Sequence, residues 1–147
     1  AKPSDPAVFT ALAGYYNRQG DFDKTMEALQ QRTTLEPNNP EAYHYMATFY
    51  QDKVQKDYRM PKPQQREYAM KGIEAEDKAL ALNPNYSEAM VYKNILLRQQ
   101  ANTEKDPGAQ KRLIEEADRL RAKAIELQKK ANQAAGDTAA AGAKKEK

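Results

Sequence analysis

The sequence predicts an all-α chain built from helix pairs stacked in series. Three observations carry that expectation. Pro, Gly and Asn punctuate the chain at regular places. No useful length alternates apolar and polar residues with period two, so no strand is expected. A unit of 34 residues, from 6 to 39, is followed directly by a second unit opening at Pro40.

The elements follow in order. Pro6 opens a first helix that runs to about Gln19, and Gly20-Asp21 makes a tight turn. A second helix spans about Phe22 to Leu35 and ends at Glu36-Pro37-Asn38-Asn39-Pro40. Pro40 suits the first turn of a third helix, where a missing N–H costs nothing, and that helix reaches about Lys53. Tyr58, Pro61 and Pro63 read as a loop. A fourth helix covers about Gln64 to Leu82 and stops at Asn83-Pro84-Asn85. Ser87 is a candidate cap for a fifth helix reaching about Ala101. Asp106 and Pro107 make a cap-plus-first-turn pair for a sixth. Leu113, Ala117, Leu120, Ala124, Leu127 and Ala131 fall on one face of it, in steps of four and three. That helix, about Asp106 to Ala131, would be ~39 Å long against ~22 Å for the fifth, and would overhang it. From about Asn132 the text turns to Ala, Gly and Lys and reads as a low-complexity tail.

The recurring residues supply a family. Phe9, Leu12, small Ala13 and Tyr16 are followed by the turn Asn17 to Phe22, then Thr25 at a small position, Leu29 at a large one, and Pro37. Tyr43, Met46, Ala47 and Tyr50 repeat the first half. Gly72, Ala79, Leu82 and Pro84 repeat the second, after an insertion of 13 residues. This pattern resembles the tetratricopeptide repeat. The third unit departs from it: Met90 and Leu97 fit, but Lys93 and Asn94 replace a leucine and a small residue. Ala117, Ala124 and Leu127 recover the pattern after a further insertion of 11. The resemblance implies a right-handed α-α superhelix of about three helix pairs, with a concave face lined by the first helix of each. The domain organisation is a short extension over 1–5, repeats over 6–131 (6–39, 40–86 with the insertion, and 87–131), and a tail over 132–147. The insertion, 54–63, either projects from the array or simply lengthens both helices.

Composition limits the function. A 39% apolar share beside 31% charged residues suits a thin layered core with wet outer faces. The net charge of +3 sits at the end of the chain. Residues 129 to 147 hold five lysines and two acids, while the rest balances 19 basic against 19 acidic groups. No basic stripe on the folded part points to nucleic acid. Without cysteine there are no disulfides, thiolate metal sites or cysteine nucleophiles. His44, the single histidine, cannot make a usual zinc site alone, and no nucleophile or carboxylate is marked as its partner. No catalytic residue, metal or cofactor is therefore expected, and the chain is read as no enzyme. Glu74 and Glu76, like Glu115 and Glu116, read as solvated charge patterning. No apolar run approaches the ~20 residues a membrane helix needs. The polar opening from Ala1 reads as a processed N-terminus and favours a periplasmic or secreted location.

Two kinds of protein contact remain. Asn17, Arg18, His44, Thr48, Gln51, Val91, Ile95 and Arg98 are expected on the concave face, which is either a groove for a partner's peptide or helix, or a solvated surface. In relatives that clamp acidic chaperone tails, Lys and Asn hold set positions. Thr10 and Gly14 stand at two of them here, so such a clamp is not implied. The other contact is with a second copy. The first helix carries Val8 and Tyr15 where an internal repeat packs on its predecessor, and the last helix offers Leu120 and Leu127. Two unlike adhesive ends would join head to tail into a ring or filament.

Overall fold

A computed structural model describes residues 4–145. Among the described residues there are six helices: α1 Pro6–Arg18, α2 Phe22–Leu35, α3 Pro40–Lys56, α4 Lys62–Leu82, α5 Ser87–Ala101 and α6 Pro107–Lys145. Among the described residues there is no strand. The first three residues of the processed-looking opening lie outside the described residues, as do the last two of the chain.

Local chemistry sets the helix ends. Asp5 accepts a hydrogen bond from the Ala7 N–H at 3.0 Å, with Pro6 in the first turn. Asp21 accepts from Lys24 N–H and Asn39 from Glu41 N–H in the same way. Gly20 turns the chain with φ 76°, a conformation that suits a residue without Cβ. Asp106 accepts from both Gly108 and Ala109 N–H groups, with Pro107 beside it. Ser87 does not cap α5. Tyr86 holds that position without a side-chain hydrogen bond, and Ser87 Oγ turns to Glu88 instead. The insertion lengthens both helices: α3 gains a turn to Lys56 and α4 begins at Lys62. The short link between them is pinned by buried Met60, whose carbonyl accepts from Gln65 Nε2 at 2.6 Å.

Consecutive helices form three pairs, α1–α2, α3–α4 and α5–α6, joined where α2 meets α3 and where α4 meets α5. Small residues stand where the paired backbones come close. Ala13 and Thr25 are both fully buried in the first pair. In the second, Ala47 is fully buried and Gly72 leaves room for Leu96, since a Cβ there would lie 2.7 Å from Leu96 Cδ2. The architecture is an all-α solenoid of tetratricopeptide type. Its first helices are not evenly spaced. α3 meets α5 directly, but no Cα of α1 lies within 8 Å of one in α3. The first pair is attached through α2.

The tail expected over 132–147 is continuous helix through Lys145. Ala is the best helix former, and a helix already nucleated by α6's packed turns propagates through Ala-rich text. α6 is thus about 58 Å long. Its side chains from Gln128 to Lys144 are all exposed.

Candidate interaction surface

The first two pairs each open into a cleft between their two helices, and the two clefts are built alike. In the second pair, Tyr43, Met46 and Tyr50 of α3 face Lys71, Glu74 and Ala75 of α4. In the first, Phe9, Leu12 and Tyr16 of α1 face Lys24, Glu27 and Ala28 of α2. The residues correspond one to one, at an offset of 34 in the first helix and 47 in the second, the difference being the insertion. The second cleft, about 270 Å³, has a further wall made by Gln30 and Thr33 of the preceding helix α2. The first cleft, about 330 Å³, is lined by α1 and α2 alone.

The same asymmetry appears residue by residue. Val8 is 39% exposed, whereas its counterparts Ala42 and Ala89 are fully buried. Tyr15 is 51% exposed, whereas Phe49 at the matching place is half-buried against the core. Leu120 and Leu127 are half-buried along the α6 seam with buried Ala117 and Ala124. The open apolar side chains of α6 are Ile114 and Ile125, which sequence reasoning passed over. Counting eight residues on from the small residues Thr25 and Ala117 would have found Ile125 at the place of Thr33.

The positions expected to line the groove divide into two groups. Asn17 and Arg18 are exposed at the end of α1, and Asn17 shares an open cleft with Phe49, Asp52, Lys53 and Lys56 of α3. Val91 and Ile95 are half-exposed on α5, and the Thr48 hydroxyl donates to the Tyr45 carbonyl. Arg98 is held by Asn94 and Asp118, and Gln51 is buried with its carbonyl accepting from Gln99 Nε2. His44 is bound inward: its Nδ1 lies 2.7 Å from Glu76 Oε1, between the rings of Tyr86 and Tyr92.

Glu76 therefore corrects the reading of a solvated charge. It is 0% exposed, and its Oε2 is buried without a partner. It stands where the first pair places Leu29, so register, not charge, decides its burial. Burial pushes its carboxyl up to about 7, against the opposing pull of His44, with Asp77 adding to the rise. Glu74, two residues away, is exposed as expected. Lys93, which breaks the repeat pattern, is also explained. Its ammonium lies 2.7 Å from Asp77 on α4 and 3.2 Å from Glu116 on α6, tying three helices together. Burial works to lower its pKa, but the two carboxylates outweigh it and hold it raised. Tyr68 joins Phe22 and Tyr50 in an aromatic trio with centroids 5.0 to 5.9 Å apart. Tyr58 is 80% exposed, with the Arg59 guanidinium over its ring.

A tetratricopeptide repeat model matches residues 6–49. Residues 6–49 carry the tetratricopeptide pattern. The match covers α1, α2 and most of α3, where the repeat residues are most regular. Repeats of this kind make general protein-interaction scaffolds. Solved structures of MamA are similar in outline. One is 18% identical, with 90% of this chain and 83% of that chain covered and a TM-score of 0.34. Another is 15% identical, with 87% and 94% covered and a TM-score of 0.29. No curated protein matches. Among the described residues, no group of three or more His, Cys, Asp or Glu side chains stands close enough to hold a metal ion. No helix there is long and apolar enough to cross a membrane.

Proposed function

We propose that the chain binds a partner protein's peptide or helix along its first helices and carries out no chemistry. The cleft between α1 and α3 supports this best. Half-buried Phe49 gives it an apolar floor, Asn17 a hydrogen-bonding rim, and Lys53, Lys56 and Asp52 charges of both signs. The α1 backbone stands off from α3, which leaves that cleft open. An apolar floor with a polar rim is the usual anatomy of a recognition surface. Peptides selected from a random library against the pure protein should lose at least tenfold in affinity for Asn17→Arg, at an unchanged unfolding midpoint. A library that yields no binder, or binders indifferent to Asn17→Arg, removes the groove.

A second reading, head-to-tail self-assembly, is favoured by one observation: the first cleft lacks the wall that closes the second. Mass measured by light scattering should rise with protein concentration. A constant monomer mass across the dilution series would end that reading.

A further inference from the structure

Resting on the self-assembly reading, we infer that the open first cleft receives α6 of a second copy of this chain, through Ala122 and Ile125. The argument is one of register. At each internal junction, the second helix of one pair covers the first helix of the next. The residue five places after the small position meets the second large position of the following pair's opening pattern: Gln30 lies with Met46 in the second cleft, and Asp77 pairs with Lys93 at 2.7 Å. The residue eight places after meets the aromatic that opens that pattern, as Thr33 lies with Tyr43.

Among the described residues no helix pair follows α5–α6. The small residue of that last pair is Ala117, so the two covering positions on α6 are Ala122 and Ile125, both exposed. Ile125 is 42% open to solvent. Among the described residues no helix precedes α1, and the positions left without that cover are Leu12 and Phe9. Joining the ends would set Ala122 on Leu12 and Ile125 on Phe9, apolar against apolar at both places. Each observed junction is polar at one place or more: Gln30 and Thr33 at the first, and the Asp77–Lys93 ion pair beside Leu80 and Met90 at the second. Val8 and Tyr15 would gain the cover that Ala42 and Phe49 already have. Arg121, at the place of Leu29 and Glu76, can lay its stem on apolar surface with its head in water. Each union leaves one open cleft and one open α6, so growth continues.

The chain has no cysteine, so introduced ones are unique. The full chain carrying Val8→Cys and Ile125→Cys, treated with a short bismaleimide, should give a ladder of linked multimers. The same treatment of Glu67→Cys with Ile125→Cys should not, since Glu67 is exposed on α4, away from the cleft. Ile125→Glu should raise the concentration at which mass increases at least tenfold, at an unchanged unfolding midpoint. Mass that rises without a Val8–Ile125 ladder, or that ignores Ile125→Glu, overturns this contact and leaves assembly by another face. Mass that never rises overturns both the contact and the assembly reading.

Discussion

The two junctions inside this chain use the same register with opposite chemistry. Between the first and second pairs, Gln30 and Thr33 lie over Met46 and Tyr43, Leu29 is fully buried, and the aromatics Phe22, Tyr50 and Tyr68 cluster at one end. Between the second and third pairs, the place of Leu29 is taken by Glu76, bonded to His44, and Asp77 grips Lys93. The first junction is loose enough to leave α1 away from α3; the second brings α3 onto α5. Apolar contacts accept any neighbour of roughly the right shape. An ammonium on α5 that must meet a carboxylate on α4, as Lys93 meets Asp77, accepts only the neighbour that supplies the complementary group, while the Glu76–His44 bond stays within its own pair. The second junction is therefore specified by polarity, while the first rests more on apolar burial around Leu29.

The largest test of this contrast lies in the apolar junction. Leu29→Ala should lower stability by about 2–5 kcal/mol, since it removes a fully buried side chain and leaves a cavity. Denaturant unfolding reads it directly. A loss under about 1 kcal/mol would mean that the first junction collapses around the gap and contributes little.

The next effect is the pH dependence at Glu76. Its folded pKa of about 7 stands above the ordinary 4.5, so the folded state favours the protonated acid. Its contribution is fully present below pH 4.5 and is lost as pH rises toward 7. The size is on the order of 3 kcal/mol. Glu76→Gln keeps the shape and removes the titration. The wild-type chain should thus lose stability relative to Glu76→Gln between pH 4.5 and 7, and hold a constant difference above that. Parallel profiles for the two would show that burial does not act on this carboxyl.

A smaller effect is expected at Gly72. A Cβ there would meet Leu96 Cδ2 at 2.7 Å and Tyr50 Cβ at 3.3 Å, and Leu96 is fully buried with nowhere to turn. Gly72→Ala gains about 1 kcal/mol of helix propensity and loses about 1–3 to overpacking, for a net cost of ~1 kcal/mol. Thermal unfolding should show a lowered midpoint. A raised midpoint would mean that α4 and α5 can slide apart.

Much of the architecture is legible in the chain because it is written in local signals. Asp5-Pro6, Gly20-Asp21, Asn39-Pro40 and Asp106-Pro107 mark helix ends wherever they occur, and the structure places ends at all four. What is not legible depends on neighbours distant in sequence. Glu76 sits in a run with Glu74, Asp77 and Lys78, and only its alignment with Leu29, across an insertion, reveals that it is covered. His44 looks solitary because its partner lies 32 residues away. The helical state of residues 132–145 was masked by low complexity, although Ala favours helix on its own. Asn17 and Arg18, expected on the concave face, are exposed where α1 ends at a turn.

The finest test concerns Lys93, where the sequence departs from the family by replacing leucine. Lys93→Leu restores the family residue but leaves Asp77 without its ammonium. Asp77 and Glu116 are substantially exposed, so the loss should be within ~1 kcal/mol. Adding Asp77→Ala removes the stranded charge and sets a small apolar residue over the leucine, the arrangement inferred for Ala122 over Leu12. The double variant should be as stable as the parent or more so, since a well-packed apolar contact commonly equals a partly buried ion pair. The junction would then resemble the open end of the chain. If polarity specifies the second junction, that double variant should also associate with the parent chain more readily than the parent does with itself, and a mixed light-scattering series measures it. A double variant that stays weaker than the parent would show the ion pair to be stabilising in its own right, and the contrast between the junctions would then be one of strength, not of selectivity.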